Sequence, residues 1–392
     1  MLIALTGKPN CGKSTFFSAA TLVDAEISNR IFTTIEPNKG VTYVRVSCPC
    51  GGGAEGRVMQ PCSPRMGKCV DGVRYVPIKM VDIAGLVPGA HLGRGLGNQF
   101  LSDIMEADAL IHVIDITGST DESGNPVATG SRDPKEDIKF LEEEIDYWIL
   151  EILKKNLHLK RMEVTKEKFS DVIYKQLSGL GIKLQDVEYA IAATGITAGS
   201  DDYDLLSFIS LLREKSKPII LAANKIDLGG EDNLSRLKDV GYQLFPCSAE
   251  SELALRRAAE KGMISYNPGD GDFKILVASE SQNAALEKIR HTLAEYGSTG
   301  VQKIIDTIVF DTLQMIVVYP VENEHKLSDK KGNVLPDAIL MKKGATALDL
   351  AYKVHEDIGK KFIAAVDAKS GKNISSSHIL KNGDIISIKS GR

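Results

Sequence analysis

Gly7-Lys-Pro-Asn-Cys-Gly-Lys-Ser14 decides the fold because of what stands on either side of it. Before it, Leu2-Ile-Ala-Leu-Thr6 reads as a buried strand; after it, an apolar-periodic segment from about Lys13 to Leu22 reads as a helix. Strand, glycine loop and helix form the setting in which G-x-x-x-x-G-K-[ST] cradles phosphate. Glycines let the backbone wrap an anion, and in the loop Asn10-Cys11-Gly12-Lys13-Ser14-Thr15 the N–H groups from Gly12 onward point at α- and β-phosphates. Lys13 neutralises β/γ charge and the developing charge of a transferred phosphoryl group, and the Ser14 hydroxyl is placed to hold Mg²⁺.

Working outward, each later strand should deliver one more part of such a site. The polar, turn-rich stretch Asn29–Gly40 precedes a strand at Val41–Val46 and offers Thr33 and Thr34 for a Mg²⁺-completing hydroxyl; position alone does not choose between them. Val76–Val81 reads as a strand ending in Asp82-Ile-Ala-Gly85. There Asp82 reaches Mg²⁺ through a water and the Gly85 N–H approaches a γ-phosphate, so that loss of the phosphate releases the loop. Leu86 follows, and a leucine cannot orient water. In the glycine-rich run after it, His91 is a candidate for that task and Arg94 for added charge. Asn10 offers another route, because an asparagine in the phosphate loop can ligate K⁺ and so supply transition-state charge.

Ala109–Ile114 reads as a buried strand ending at Asp115, with His112 as a core histidine. Asp133-Pro-Lys opens a helix whose apolar positions Ile138, Leu141, Ile145, Trp148, Ile149 and Ile152 recur at spacings of three and four. Two more helical patterns follow at about 164–178 and 184–193, so residues 133–193 are expected to be a helical insertion projecting as an antiparallel hairpin. Leu205–Leu212 is a further amphipathic helix. The strand Pro218–Ala223 then leads into Asn224-Lys225-Ile226-Asp227. An aspartate there accepts two hydrogen bonds from N1–H and the 2-amino group of guanine, which adenine does not offer, while the Lys225 stem covers the base face. One strand later, a backbone N–H in Ser248-Ala249-Glu250 can meet guanine O6. Four motifs at successive strand ends match where doubly wound sheets bind ligands.

At 392 residues the chain needs two or three domains. It has no run of eighteen apolar residues and enters a strand at its second residue, so neither a membrane span nor a signal peptide is expected, and the protein should be a cytoplasmic monomer. The net charge of −4 argues against a uniformly basic nucleic-acid binder, yet Met315–Arg392 holds 13 Lys+Arg against 9 Asp+Glu. That mild basicity points to RNA on the C-terminal side. Six cysteines in a cytosolic chain are not expected to form a disulfide framework. Four of them, Cys48, Cys50, Cys62 and Cys69, crowd a flap over 47–72 with few large apolar side chains; a structural Zn²⁺ held by four thiolates would order it, and four reduced surface thiols are the alternative. From Met315 the pattern becomes strands at 315–319, 338–341, 362–366 and 384–389, with a helix at about 346–355, which describes a small β-grasp sheet.

Gly7–Thr15, Phe32-Thr-Thr-Ile-Glu-Pro-Asn38 and Asp82–Leu101 together resemble the Obg family of GTPases. The insertion beginning Asp133-Pro-Lys-Glu-Asp-Ile138 and the segment from Leu335-Pro-Asp-Ala-Ile339 through Gly383-Asp384 resemble its YchF subfamily, which carries a helical insertion and a C-terminal TGS domain. The likeness covers essentially the whole chain and implies an α/β P-loop NTPase sheet over 1–132 and 194–312, a helical insertion over 133–193 and a TGS-like β-grasp domain over 313–392. It further implies Thr34 as the Mg²⁺-contacting threonine and association with ribosomes, while the residues themselves point to GTP hydrolysis, slow because no glutamine follows Gly85; the alternatives are an ATP-preferring hydrolase and a nucleotide-gated RNA- or ribosome-binding module with little catalytic role. Two departures stand out. Typical YchF proteins have a degraded N-K-x-D motif and prefer ATP, whereas here the motif is intact, and they lack the cysteine flap.

Overall fold

The computed structural model describes residues 1–21, 39–51, 61–83, 103–160 and 168–391. They form two compact units, one of residues 1–21, 39–40, 79–83 and 103–304, the other of residues 41–51, 61–78 and 305–391.

In the first unit β1 (Leu2–Thr6) lies between the end of β4 (Val73–Asp82) and β5 (Ala109–Asp115), followed by β6 (Ile219–Asn224) and β7 (Gln243–Pro246). All four pairings are parallel, with Ile3 beside Met80, Leu5 beside Ile111, Ile114 beside Ala223, and Ala222 beside Phe245. Every residue of β5 and β6 is buried, as continuous apolar runs require in a parallel sheet covered on both faces. The chain leaves β1 for one side and later returns on the other, which makes the carboxyl end of β1 a topological switch point. The phosphate-loop sequence occupies that point. A smaller core of Leu255, Ile264, Phe273, Leu286 and Leu293 joins the helices Ala249–Glu260 and Glu280–Tyr296 to the ladder of β8 (Ile264–Ser265) and β9 (Lys274–Ile275).

Helices Lys135–Lys160, Phe169–Leu177 and Leu184–Thr194 place Ile138, Leu141, Ile145, Ile149, Leu153, Ile173 and Val187 in one core with Leu110, Ile114 and Leu221 of the sheet. Phe208, Ile209 and Leu212 of helix Asp202–Ser216 complete that core. The apolar stripe on Lys135–Lys160 is too long to stay wet, and helices Asp202–Ser216 and Phe169–Leu177 together with the sheet bury it.

In the second unit β2 (Lys39–Ser47, from residue 41) leads to the short turn Pro49–Gly51, and β3 (Lys68–Val70) pairs antiparallel with the start of β4. The β3–β4 turn is Asp71-Gly72 with φ of 48° and 77°, the pair of positive angles that a two-residue hairpin needs. A five-stranded sheet follows, in the order β11 (Ile339–Lys342), β10 (Met315–Val321), β14 (Ile385–Ser390), β12 (Phe362–Asp367) and β13 (Lys372–Ile374). Helix Ala347–Val354 lies between β11 and β12 in sequence and buries Leu350 with Ile316, Val318, Ala365, Leu380 and Ile386. This is the β-grasp pattern with one more edge strand, β13, than the sequence pattern contains. Residues 61–78 belong to this unit, whereas the sequence reading joins the cysteine flap to the phosphate-binding domain.

Candidate functional site

The phosphate loop leaves β1 through Gly7 at φ 152°, where a Cβ would lie 2.5 Å from the Val113 carbonyl oxygen. Gly12, at φ 93°, is tighter still: a Cβ there would lie 2.1 Å from Asn224 Nδ2. Asn10 takes φ 59° between them, an angle that asparagine tolerates. Helix Lys13–Thr21 starts directly afterwards, so Lys13, Ser14 and Thr15 occupy its first turn, where N–H groups lack helical partners. The Lys13 ammonium is buried and ion-paired with Asp82 Oδ1, while Ser14 Oγ donates to Asp82 Oδ2 at 3.0 Å. Lysine, hydroxyl and carboxylate from two motifs 68 residues apart therefore meet at one place. The hydroxyl and carboxylate oxygens are hard donors of the kind that suits Mg²⁺. Thr34, Gly85, His91 and Arg94 lie outside the described residues.

The N-K-x-D segment divides its work. Asn224, buried at the end of β6, donates from Nδ2 to the Cys11 carbonyl at 2.9 Å and accepts from the Ala249 N–H at 3.0 Å. One carboxamide thus fastens the phosphate loop to the loop after β7. Lys225, at φ 68°, donates to the Asn10 carbonyl at 2.8 Å and to Asp115 Oδ2 at 2.9 Å. Its aliphatic stem runs along the strand ends toward the phosphate loop. Asp227, in the turn Ile226–Leu228, is exposed and has no hydrogen-bond or ion-pair partner among the described residues. The Ser248 N–H donates to Thr299 O at 2.9 Å and the Ala249 N–H to Asn224 Oδ1 at 3.0 Å, so both amides have partners inside the protein. Ser248 Oγ instead caps helix Ala249–Glu260 by accepting from the Ser251 N–H.

Three contributors have no place in the sequence reading of the site. Asp115 is fully buried; burial raises its carboxyl pKa, but hydrogen bonds from Thr117, Lys225 and Thr120 outweigh that and hold it below the usual range. It therefore stays an anion under Lys225. Lys8, inside the phosphate loop, is buried and donates to Thr120 O at 2.7 Å while pairing with Asp137 at 2.8 Å. Gly124, at φ 82°, brings its backbone against Pro9, where a Cβ would lie 2.5 Å from the Pro9 carbonyl oxygen, and its own oxygen accepts from Asn10 Nδ2 at 2.9 Å. The segment after β5 thus braces the phosphate loop. The amide nitrogen of Asn10 is used in this brace, which leaves Oδ1 as the atom for a cation. The only forewarning was Asp115 at a strand's carboxyl end.

Cys11 and Cys247 are buried, and burial pushes the Cys11 thiol up to about 12 and Cys247 further, so neither is a thiolate at neutral pH. The clustered cysteines differ: the sulfurs of Cys48, Cys50, Cys62 and Cys69 all lie within 4.8 Å of one another.

Residues 2–166 match the family described as 50S ribosome-binding GTPase, residues 222–323 that described as Obg-like GTPase YGR210-like, G4 motif-containing domain, and residues 331–390 the TGS domain. An uncharacterized GTP-binding protein of Methanocaldococcus jannaschii is 49% identical over 99% of both chains. A GTP-binding protein from Pyrococcus horikoshii, known from its crystal structure, is 39% identical, covers 100% of each chain and superposes with a TM-score of 0.77. The ribosome-binding ATPase YchF of Bacillus subtilis is 29% identical over 66% of this chain and 69% of its own.

Proposed function

The chain belongs to the Obg-like family of P-loop GTPases with a C-terminal TGS domain, and from that premise we propose that it binds GTP through Asp227 and hydrolyses it slowly to GDP and phosphate as a switch on the ribosome. One observation carries the choice of base: Asp227 presents a carboxylate with no partner among the described residues, while Asn224 and Lys225 beside it are committed to holding the loops. A free carboxylate at that place is complementary to N1–H and the 2-amino group of guanine and would be left desolvated and unpaired by adenine.

The phosphates lie along Gly12–Thr15, with the Lys13 ammonium moving from Asp82 to the β/γ oxygens as they arrive. Ser14 and, through water, Asp82 would hold Mg²⁺, with Thr34 as the third contributor, and the ion would supply positive charge against the phosphates. Backbone amides and Lys13 stabilise the charge of in-line attack by water, which His91 orients. Asn10 Oδ1 would hold K⁺, which would supply added positive charge to the transition state. Ribosome or RNA association runs through the TGS and helical regions; the family description of residues 2–166, the name of the Bacillus relative and the basic C-terminal part support it. No helix among the described residues is long and apolar enough to cross a membrane.

The test is affinity and steady-state hydrolysis of GTP and ATP side by side, in K⁺ and in Na⁺ buffer. GTP should bind at least ~100-fold tighter than ATP, and Asp227→Ala should remove most of that difference by weakening GTP alone. Equal use of ATP by the wild-type chain overturns the base assignment and makes this an ATP-preferring member. An unchanged rate on exchanging Na⁺ for K⁺ sinks the role given to Asn10.

A further inference from the structure

We propose that Cys48, Cys50, Cys62 and Cys69 bind one structural Zn²⁺ as a tetrathiolate, with Arg74 as its counter-charge, and that this site fastens the backbone segment Val334–Asp337 to the cysteine segment.

The sulfur geometry comes first. Zn–S bonds of about 2.3 Å in a tetrahedron place neighbouring sulfurs about 3.8 Å apart. Cys48 and Cys62 are 3.9 Å apart, Cys50 and Cys69 3.4 Å, and no pair among the four exceeds 4.8 Å. A disulfide needs about 2.05 Å, and all four are free thiols. The backbone is arranged to bring them together. Cys48 directly precedes the turn Pro49–Gly51 and Cys50 is its middle residue, Cys69 sits in the middle of β3, and the Cys48 N–H donates to the Gly72 carbonyl at 2.7 Å. Gly51 meets Gly72 so closely that a Cβ on it would lie 2.8 Å from the Gly72 Cα. Two glycines are thus spent on closing the ring of sulfurs.

Arg74 is the second, independent observation. Its side chain is fully buried, yet among the described residues it has no carboxylate partner. Its guanidinium donates to the Leu335 carbonyl at 3.1 Å and the Pro336 carbonyl at 3.0 Å, and Nη1 lies 3.7 Å from Cys62 Sγ. A buried cation needs a nearby anion. When Zn²⁺ enters, four thiols release four protons to solvent, no electrons move, and the site carries a charge of −2 beside Arg74. The same guanidinium grips residues 335 and 336, and Ser63 and Arg65 donate their N–H groups to Val334 O at 2.8 Å and Pro336 O at 2.9 Å. Arg65 also pairs with Asp337. Ordering the cysteine segment therefore orders this segment too.

The full-length chain, purified without chelator, should carry about one zinc per molecule by elemental analysis. A mercurial titrating its thiols should release that zinc as four of them react, and Co²⁺ in its place should give thiolate charge-transfer absorption with intense tetrahedral d–d bands. After zinc removal, hydrogen exchange of the Ser63 and Arg65 amides should accelerate at least ~10-fold, while β5 and β6 amides keep their rates. Cys69→Ser should lower zinc retention against a chelator at least ~100-fold. The wild-type measurements stand even where that variant fails to fold. Four freely reactive thiols with no stoichiometric metal and no cobalt bands overturn the site, iron in place of zinc overturns the metal, and unchanged exchange at Ser63 and Arg65 overturns the fastening.

Discussion

His112 sits on β5 with Nε2 donating to the Asp137 carbonyl at 3.2 Å and Nδ1 accepting from Thr6 Oγ1 at 3.0 Å, an arrangement that suits the neutral ring. Burial lowers its pKa to about 4. Because the folded value lies below the unfolded one, the unfolded chain takes up the proton first as pH falls. Stability from this group is complete above about pH 6.5 and declines toward pH 4, by about 3 kcal/mol in all. Urea unfolding at pH 7 and pH 5 should show the wild type losing about 2 kcal/mol more than His112→Gln over that interval; equal losses would exclude the histidine as the cause. The sequence marks His112 as a core histidine from its apolar flanks, and the phosphate-loop residues from their spacing. It does not show that Lys8 reaches Thr120 or that Lys225 reaches Asp115, since those partners lie 112 and 110 residues away along the chain.

Among the elements, strands β5 and β6 were legible because an unbroken apolar run has one natural home, the middle of a covered parallel sheet. Helix Lys135–Lys160 is legible as a helix. Its period shows that one face is apolar but does not reveal what covers that face, and here the cover is helices Asp202–Ser216 and Phe169–Leu177 together with the sheet. β13 went unseen because Lys372-Asn-Ile374 is short, polar and partly wet. Two substitutions weigh local chemistry against close approach. Thr346→Ala removes the capping box of helix Ala347–Val354, in which Thr346 accepts from the Asp349 N–H, and should cost about 1 kcal/mol. Gly300→Ala should cost at least ~3 kcal/mol, since Gly300 is at φ 84° and an added Cβ would lie 2.1 Å from the Pro246 carbonyl oxygen. Chemical unfolding of the two variants checks the order; a milder effect at Gly300 would mean that the β7 loop yields to it.

At the scale of the molecule, the sequence shows a phosphate-binding α/β part followed by a β-grasp part, because each has its own strand and helix rhythm. What it could not show is which part the cysteines belong to. Residues 61–78 join residues 305–391 through contacts such as Arg74 with Leu335, 261 positions apart, and nothing in local composition encodes so distant a partner. The same kind of separation governs the first unit, where the Cys11 carbonyl finds its donor in Asn224, 213 residues later. During synthesis at about 5–20 residues per second, the phosphate loop is therefore made roughly 10–40 s before the side chain that fastens it. Nascent chains halted with residue 220 just exposed should bind GTP at least ~100-fold more weakly than chains halted with residue 310 exposed; equal binding would show the loop to be competent without its clasp. Capture of nucleotide is then a late event in the birth of this protein, and a loaded chain is one whose first unit has been completely translated.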